Sequence, residues 1–464
     1  MVYFTASYSG PAWPDERRAQ VTVRHPGRRT DDAAVAAPAR HYHLRCPVCS
    51  AEIEDDGVVL RCAEPHEPAL LVAEYEEQSF RPDPDVDGIY RFREWLPTSR
   101  VLPGAGGTLV YRSKALNRMA GLSNLWVAFN GYWPERGATL ETTTFKELEA
   151  WAVLGRIPEE TEDVMVIASA GNTAAAFARA CSIGRVRCLI VVPEVGLASL
   201  EFSEPIDPCV KIVSLVGFTD YADAIALANR VAALDGFFPE GGVANVARRA
   251  GLGTTMLAAV DTIGRLPDFY FQAVGSGAGG IGVHETARLL IRDGRFGERF
   301  PRLMLSQNLP FVPLYSSWTA GRRQLVTIDP DDGRRQIRQI AAHVLSNRQP
   351  PYSIRGGVFD VLTESGGDML AADNLETLPR LQLFEEMEGI DIDPASAVAF
   401  ATLLKAARSG LLDHDALVLL NVTGGGRHRR HADRQLIPAR PALQLDQQEI
   451  YLDATLNKIA NLFR

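Results

Sequence analysis

Lysine is scarce in this sequence. Of its 48 basic residues only five are lysines, and the other 43 are arginines. A genome rich in G and C explains most of this bias, so an arginine carries little functional information by itself. A lysine kept in this background is less easily explained as a generic surface charge. The five are Lys114, Lys146, Lys211, Lys405 and Lys458.

An excess of positive charge and long apolar runs are also absent. The formal net charge is −9, from 57 acidic and 48 basic residues, which argues against general nucleic-acid binding. The longest apolar runs, such as residues 416–422, are strand-sized and far below the roughly 18–20 residues of a membrane span. We therefore expect neither a nucleic-acid partner nor a membrane.

Cysteine is sparse as well. Six cysteines in 464 residues do not make a disulfide framework. The N-terminus has no compact apolar segment of the kind found in signal peptides. We expect a cytoplasmic, reduced protein. Its hydrophobic content of 46% and charged content of 23% are typical of a globular chain, and its length allows about two to four domains.

Composition divides the chain into three parts. Residues 1–40 are rich in Arg, Pro, Asp, Ala and Gly without an apolar period, which predicts a flexible extension. Residues 41–80 contain clustered cysteines and predict a small zinc-ribbon-like element. Residues 81–464 alternate short β-branched runs with helical patterns, which predicts an α/β domain of two open-sheet lobes covered on both faces.

The cysteine cluster begins with a CxxC knuckle, Cys46 and Cys49, and Cys62 and His66 follow. Two thiolates on a tight turn supply two corners of a zinc tetrahedron, and a second turn supplies the others. A second CxxC is incomplete here, because Pro65 stands where the fourth cysteine would be. Two alternatives stay open: a structural zinc on three cysteines and His66, or a ribbon that keeps its shape without metal.

Ligands of open α/β sheets lie where strands end and helices begin, and three such junctions are unusual. In ASAGNTAAAFA, residues 168–178, Ser169, Gly171, Asn172 and Thr173 open a helix. The free N–H groups of a helix start attract anions, although Ser and Asn are also ordinary caps. In AVGSGAGGIGVHE, residues 273–285, five glycines allow backbone amides to close around a phosphate.

The third junction is LLNVTGGGRHR, residues 419–429, where a buried strand delivers Thr423 to the sheet edge. Taken alone it is equally a turn. Lys146 lies in ERGATLETTTFKELEA, residues 135–150, at the start of a predicted helix. Pyridoxal phosphate and an amino acid need four contacts, which are an amine, a phosphate loop, a carboxylate-sized anion site and a neutral hydroxyl.

Four motifs, FKELEA, SAGNTA, GSGAGGIG and NVTGGG, occur in this order. In them the chain resembles the fold-type II pyridoxal-phosphate enzymes, the threonine synthase and cysteine synthase group, from about residue 43 to the C-terminus. The resemblance implies the tryptophan synthase β-like fold and makes residues 81–464 a pyridoxal-phosphate-dependent catalytic domain. Phe145, Lys146 and Glu147 depart from the SFKDR motif of threonine synthases.

The resemblance also implies a role for each motif. Lys146 would be the catalytic lysine that binds the cofactor covalently. Asn172 would bond the cofactor's phenolic oxygen, and Thr423 would face its pyridine nitrogen. The cofactor phosphate would be held by Gly275, Ser276, Gly277, Ala278, Gly279 and Gly280. The substrate carboxylate would be surrounded by Ser169, Ala170, Gly171 and Thr173.

The implied reaction is a β-replacement on a phosphorylated amino acid, O-phosphoserine with sulfite to give L-cysteate and phosphate. Substrate and nucleophile are both anions, so the cations near the lysine motif are candidates: Arg136 is expected to bind substrate, with Arg112 and Lys114 as further candidates. Gln307 and Asn308 are candidate cofactor contacts. Alternatives are γ-elimination from O-phosphohomoserine, as in threonine synthase, another nucleophile in a specialised pathway, or a non-enzymatic relic of the family. We expect a homo-oligomer, a dimer or a trimer.

Overall fold

The structure, a computed structural model, describes residues 40–464. The predicted flexible extension over residues 1–40 lies outside these residues, apart from Arg40 itself. The described part begins with a small antiparallel sheet of three strands, β1 (Tyr42–Arg45), β2 (Glu52–Ile53) and β3 (Val72–Tyr75), in the order β2–β1–β3. We refer to residues 40–75 as the ribbon.

The other elements belong to the two lobes. The strands are β4 (Leu109–Arg112), β5 (Leu125–Phe129), β6 (Tyr132–Trp133), β7 (Ala138–Thr139), β8 (Val164–Ala168), β9 (Cys188–Pro193), β10 (Glu201–Phe202), β11 (Val210–Leu215), β12 (Phe237–Pro239), β13 (Phe269–Ala273), β14 (Arg302–Asn308), β15 (Asp368–Ala372), β16 (Val418–Val422), β17 (Ile437–Pro438) and β18 (Leu443–Leu445). The helices are α1 (Lys114–Ala120), α2 (Lys146–Arg156), α3 (Asn172–Gly184), α4 (Tyr221–Ala232), α5 (Val246–Ile263), α6 (Ala278–Asp293), α7 (Pro313–Thr319), α8 (Pro330–Ile337), α9 (Val358–Ser365), α10 (Asn374–Glu388), α11 (Pro394–Arg408), α12 (Arg427–Asp433) and α13 (Asp453–Ala460).

The first lobe is built on a parallel five-stranded sheet in the order β12–β8–β9–β11–β18. Strands β8 and β9 are apolar along their length because helices cover both faces of the sheet. Met165 and Ile167 of β8 pack with α2 and α3 on one face. Val164 and Val166 of the same strand pack with α4 on the other face. The alternation of neighbouring side chains between the two faces is the two-residue period of a strand.

The second lobe is built on a six-stranded sheet in the order β15–β14–β13–β16–β5–β4, parallel except for β4. Helices α5, α6 and α9 share a core with one face and with the ribbon, and α11 covers the other face. Close approach of α5 and α6 requires glycine, because a Cβ at Gly253 would lie 2.1 Å from Thr286 Oγ1. This contact fixes α6, which carries the predicted phosphate loop at its N-terminus.

The predicted α/β architecture of two open-sheet lobes is confirmed. The alternation of short strands and helices predicted for residues 81–464 is found. The predicted domain boundaries at residues 40 and 80 stay predictions. Within residues 40–464, no helix has the length and apolarity needed to cross a membrane.

Candidate active site

Lys146 is the first residue of α2 and lines a cavity to which both lobes contribute residues. The segment before it is tied to the end of β16, because Phe145 N donates to Thr423 O over 2.9 Å and Thr144 forms a bridge with Gly424. The side chain is 19% exposed, and its Nζ donates to Glu149 Oε2 over 3.1 Å. Burial lowers the pKa of the Lys146 amine, which increases the fraction present as the neutral, nucleophilic form.

The loop from residue 169 to 171 joins β8 to α3. Ser169 Oγ accepts from Gly171 N over 3.0 Å and from Ala174 N over 2.8 Å, so this serine binds the N–H of the third helical residue, although Gly171 is the N-cap. Gly171 has φ +147°, a conformation that suits glycine. Asn172 and Thr173 follow as the first helical residues. The loop therefore presents small polar groups and helix-start N–H groups to an anion.

The glycine loop from residue 275 to 277 joins β13 to α6, and Ala278 and Gly279 begin that helix. Gly277, with φ +83°, is the N-cap of the 16-residue α6, and Ser276 Oγ accepts from Ala278 N over 3.4 Å. A Cβ at Gly277 would lie 2.3 Å from Val358 Cγ2, so the loop is closely packed from outside. The backbone N–H groups of such a helix start, with the helix dipole, favour a phosphate.

Thr423 follows β16 directly and is buried. Its Oγ1 lies 3.4 Å from Ser396 Oγ, and that serine also donates to Gly424 O over 3.1 Å. Asp393 is the N-cap of α11 and lies in the same wall of the site. Burial raises the pKa of the Asp393 carboxyl. Thr423 is thus a neutral hydroxyl in a largely dry part of the site.

These elements meet around one cavity. Its lining includes most of the residues that the sequence predicts for the site: Lys146, Ser169, Ala170, Gly171, Asn172, Thr173, Gly275, Ser276, Gly277, Ala278, Gly279 and Thr423. Because the carboxyl ends of parallel strands lie at one edge of each sheet, β8, β13 and β16 deliver their loops to the same place. The residues fit pyridoxal phosphate: an amine with a lowered pKa, a glycine loop at a helix start and a neutral hydroxyl face one space.

Gly280, Arg136, Gln307 and Asn308 do not line this cavity. Gly280 lies in the first turn of α6, where a Cβ would meet Leu305 Cδ1 at 3.0 Å, so its smallness serves packing. Arg136 lies outside because a short turn ahead of β7 carries it away from the site. Its guanidinium stacks over Tyr111, 4.1 Å from the ring centre.

The other predicted polar contacts are also elsewhere. Gln307 Oε1 accepts from Leu314 N over 2.9 Å, and Asn308 Oδ1 accepts from Ala342 N over 3.0 Å. Both side chains therefore hold loops of the second lobe. Arg112, which donates to Ser123 O, and Lys114 are exposed and absent from the cavity lining. Nearness to the lysine motif in sequence did not predict nearness in space.

A larger cavity of about 470 Å³ adjoins the first and shares Ala170, Asn172, Tyr221, Val344 and Asp393 with it. Sequence reasoning missed the charged residues of its lining, which are the basic Arg334, Arg338, His343, Arg427 and His428 and the acidic Asp220, Glu385, Asp391 and Asp393. Asp223 and Asp331 hold Arg334 at distances of 3.3 and 3.0 Å. Within residues 40–464 neither Arg338 nor Arg427 forms a salt bridge. Arg338 lies over the Phe218 ring, 4.5 Å from its centre, and the charge of Arg427 acts on the Asp393 carboxyl.

Arg248, Tyr221 and Gln272 also line the first cavity and were missed. Arg248 forms a buried ion pair with Glu149, at 3.1 Å. The run of two arginines in NVARRAG was the available signal, but arginine is too common in this chain for it to stand out. Contacts between α2 and α5 bring together residues about a hundred positions apart, which no local pattern predicts.

The four predicted metal ligands come together in the ribbon. Cys46 Sγ lies 3.2 Å from His66 Nε2, Cys49 Sγ lies 3.6 Å from Cys62 Sγ, and all four ligand atoms lie within 4.8 Å of one another. His66 Nδ1 is 2.6 Å from Glu67 O, which orients Nε2 towards the thiols. Burial raises the pKa of the Cys46 thiol, but N–H groups of its own turn outweigh this and lower the pKa to about 7.

Comparison with known proteins adds a family and a fold. The family model described as "Pyridoxal-phosphate dependent enzyme" matches residues 101–424. The chain is 45% identical over 413 residues to the cysteate synthase of Methanosarcina mazei, covering 89% of this chain and 98% of that protein. It is 46% identical over 399 residues to the cysteate synthase of Methanosphaerula palustris, covering 86% and 92%.

Solved structures with a similar fold include maize serine racemase and the diaminopropionate ammonia lyase of Escherichia coli. The racemase has a TM-score of 0.54 at 16% identity, covering 70% of this chain and 94% of that one. The lyase has a TM-score of 0.55 at 14% identity, covering 78% and 91%. At these identities the likeness shows a shared fold alone.

Proposed function

We propose that this chain, which belongs to the pyridoxal-phosphate dependent enzyme family, makes L-cysteate and phosphate from O-phosphoserine and sulfite. The observation that carries the proposal is the identity of about 45% with cysteate synthases over nearly nine-tenths of the chain. It is supported by the meeting of Lys146, the glycine loop and Thr423 around one cavity. The reaction breaks the Cβ–O bond to phosphate and forms a Cβ–S bond to sulfite.

Lys146 would hold the cofactor and move the proton. Pyridoxal phosphate, when bound, accepts the electron pair left on the substrate α-carbon. Lys146 Nζ takes the proton from that carbon and returns it after sulfite has added. Thr423 would face the pyridine nitrogen and, being neutral, would not keep that nitrogen protonated. The weaker electron sink favours prompt loss of the β-phosphate over transamination.

The loops would hold the anionic groups. Gly275 to Gly279 and the start of α6 would hold the cofactor phosphate, and Asn172 its phenolic oxygen. The substrate carboxylate would lie at the start of α3, against Ser169 and Thr173. The larger cavity adjoins the first at Asn172, and two of its guanidinium groups, those of Arg338 and Arg427, would bind the substrate phosphate and sulfite.

The direct test is to mix the purified chain with O-phosphoserine, sulfite and pyridoxal phosphate and to look for cysteate by mass spectrometry. A parallel sample receives O-phosphohomoserine and water. We expect cysteate and one equivalent of phosphate in the first sample and no threonine in the second. Threonine without cysteate would favour the threonine synthase alternative. Phosphate release that requires a nucleophile other than sulfite would favour a different β-replacement.

Replacing Arg427 tests the anion cavity. We expect R427Q to raise KM for O-phosphoserine by about tenfold with a smaller effect on kcat, because a hydrogen-bonded charge in the binding site is lost. R429Q is the matched control on the same short helix. Arg429 pairs with Glu135 and Asp433 outside the cavity, so its KM should stay at the wild-type value. If R427Q has the same KM as R429Q, the substrate phosphate does not bind beside Arg427.

We also propose that the ribbon binds one structural zinc ion through Cys46, Cys49, Cys62 and His66. The support is the approach of three thiols and one imidazole nitrogen to within 4.8 Å, with four protein ligands and so no open position for chemistry. Pro65 then does not destroy the site, because His66, the next residue, takes the place of the fourth cysteine.

The zinc proposal predicts about one zinc per chain by elemental mass spectrometry. C62S should lose the metal and unfold at a lower temperature, because structural zinc contributes to folding free energy. C209S is the control, since Cys209 lies in β11's lobe, outside the cluster, and should retain zinc. Wild-type protein purified without chelator and found free of zinc would favour the ribbon without metal.

The remaining assignments rest on sequence reasoning. Small-molecule substrates accord with the family, and no helix within residues 40–464 is long and apolar enough to cross a membrane. We propose a homo-oligomer, dimer or trimer, which light scattering of the purified chain would measure. A cytoplasmic location is likewise our proposal, consistent with reduced thiols at all six cysteines.

A further inference from the structure

Glu149 is a fully buried carboxylate beside the lysine that the mechanism uses. It lies one helical turn after Lys146 in α2, and its side chain has no exposed surface. Oε2 accepts from Lys146 Nζ over 3.1 Å, while Oε1 accepts from Thr173 Oγ1 over 3.0 Å. Glu149 itself does not line the cavity, although Lys146 and Thr173 do. One carboxylate thus connects the reactive amine to the loop that would hold the substrate carboxylate.

Arg248 balances the charge of this carboxylate. Its NH1 lies 3.1 Å from Glu149 Oε1, and its Nε donates to Glu240 Oε1 over 2.8 Å. All three side chains are buried. Burial opposes a charged Arg248, but the two carboxylates outweigh it and hold the pKa of the guanidinium above its ordinary value. The arginine therefore stays charged and shares Glu149 with Lys146.

We propose that Glu149 is a positioning residue that sets the proton affinity of Lys146, with Arg248 as the opposing charge, and that it aligns the amine with Thr173. The inference rests on the proposed function, in which Lys146 must accept a proton and then give it up. Without Glu149, the buried Lys146 amine beside Arg248 would bind a proton too weakly to remove one from carbon. Without Arg248, the Glu149 carboxylate at 3.1 Å would make the amine bind its proton too strongly.

The groups around Lys146 set the direction of each effect. Burial lowers the pKa of its amine, Glu149 opposes this, Arg248 adds to it, and Glu240 opposes it more weakly. Two further titratable groups line the cavity, Tyr221 and Asp393, and burial raises the pKa of both, so both are uncharged over a wider pH range. Removing the charge of Glu149 must therefore lower the Lys146 pKa.

The test measures that pKa directly. The full chain, stripped of cofactor, is labelled with trace acetic anhydride from pH 5 to 11, and Lys146 acetylation is quantified by peptide mass spectrometry. We expect E149Q to lower the Lys146 pKa by about 1–3 units. In the holoenzyme the pH midpoint of the cofactor's absorbance change should move in the same direction. E149D, which restores the charge, should return both values towards wild type.

E147Q is the matched control. Glu147 is also buried in the first turn of α2, but it pairs with Arg179 at 3.0 Å, so its loss should leave the Lys146 pKa in place. If E149Q does not fold, R248Q provides the test. We expect it to raise the Lys146 pKa, the opposite of the E149Q effect. An unchanged Lys146 pKa in folded E149Q, or an unchanged or lowered one in R248Q, would overturn the inference.

Failure of the inference differs from failure of the proposed function. Labelling reports the amine whether or not the enzyme makes cysteate, because it needs neither cofactor nor substrate. If the chain makes no cysteate but E149Q lowers the Lys146 pKa, the inference stands and the proposed substrates are wrong. If the chain makes cysteate but E149Q leaves the Lys146 pKa unchanged, the proposed function stands and the inference is wrong.

Discussion

K146A is expected to lose all measurable cysteate formation, a fall of at least about 10²–10⁴-fold. That range is what a positioned general acid–base contributes, and this variant also loses the covalent attachment of the cofactor. Purified K146A should lack the absorbance of bound pyridoxal phosphate, and borohydride should leave no adduct in the peptide that begins near residue 137. The fold should persist, since Glu149 keeps its contacts with Thr173 and Arg248.

K114A is the control for this experiment. Lys114 also begins a helix, but it is exposed and lies outside the cavity, so activity and cofactor binding should equal those of the wild type. With only five lysines in the chain, peptide mapping identifies the labelled residue without ambiguity. Activity that survives in K146A, or a borohydride adduct on another lysine, would reject the assignment of Lys146.

The sequence could predict the loops of the site because each depends on local chemistry. A buried strand followed by glycines and small polar residues can be recognised in the amino-acid sequence. The parallel topology then brings the ends of such strands together. The family resemblance assigns Asn172, Gly277 and Thr423, from three distant segments, to one site, and the parallel topology explains why they meet there. Lys146 was predictable for a second reason, because lysine is rare in this chain.

The sequence could not predict which charged residues surround that site. Arg136 was chosen for its nearness to the lysine motif, but it stacks on Tyr111 outside the cavity. Arg248 and Arg427 reach the two cavities from segments far along the chain. Their positions depend on how α5 and α12 pack against the lobes, and among 43 arginines composition gives no reason to select them.

The ribbon is joined to the lysine helix by another contact between distant residues. Arg156, the last residue of α2, donates from Nε and NH2 to the two oxygens of Asp55, at 2.8 and 2.7 Å, and neither side chain is exposed. Tyr42 also donates to Asp55, over 2.5 Å. Because α2 begins at Lys146, the ribbon anchors the far end of the helix that carries the reactive amine.

D55A is therefore expected to destabilise the protein by about 3–5 kcal/mol, since it leaves the Arg156 guanidinium buried without its partner. Urea unfolding followed by tryptophan fluorescence measures the change. D83A is the control: Asp83 pairs with the exposed Arg93 at 2.9 Å, and loss of such a pair costs about 0–1 kcal/mol. A D55A cost no larger than that of D83A would mean that the pair does not anchor the ribbon.

The same pair predicts a dependence on pH. Burial raises the pKa of the Asp55 carboxyl, but the hydrogen bonds and charge of Arg156 outweigh it, and the net pKa lies below its ordinary value. The folded state therefore binds this proton more weakly than the unfolded state does. The stability that the pair contributes is fully present above the unfolded pKa, about 3.9, and is lost as pH falls through the lower folded value. Wild-type stability should thus decline in acid more steeply than that of D55A, and the two curves should converge. Parallel curves down to the acid limit of folding would show that the folded and unfolded states bind the Asp55 proton equally, and so that Arg156 does not lower this pKa.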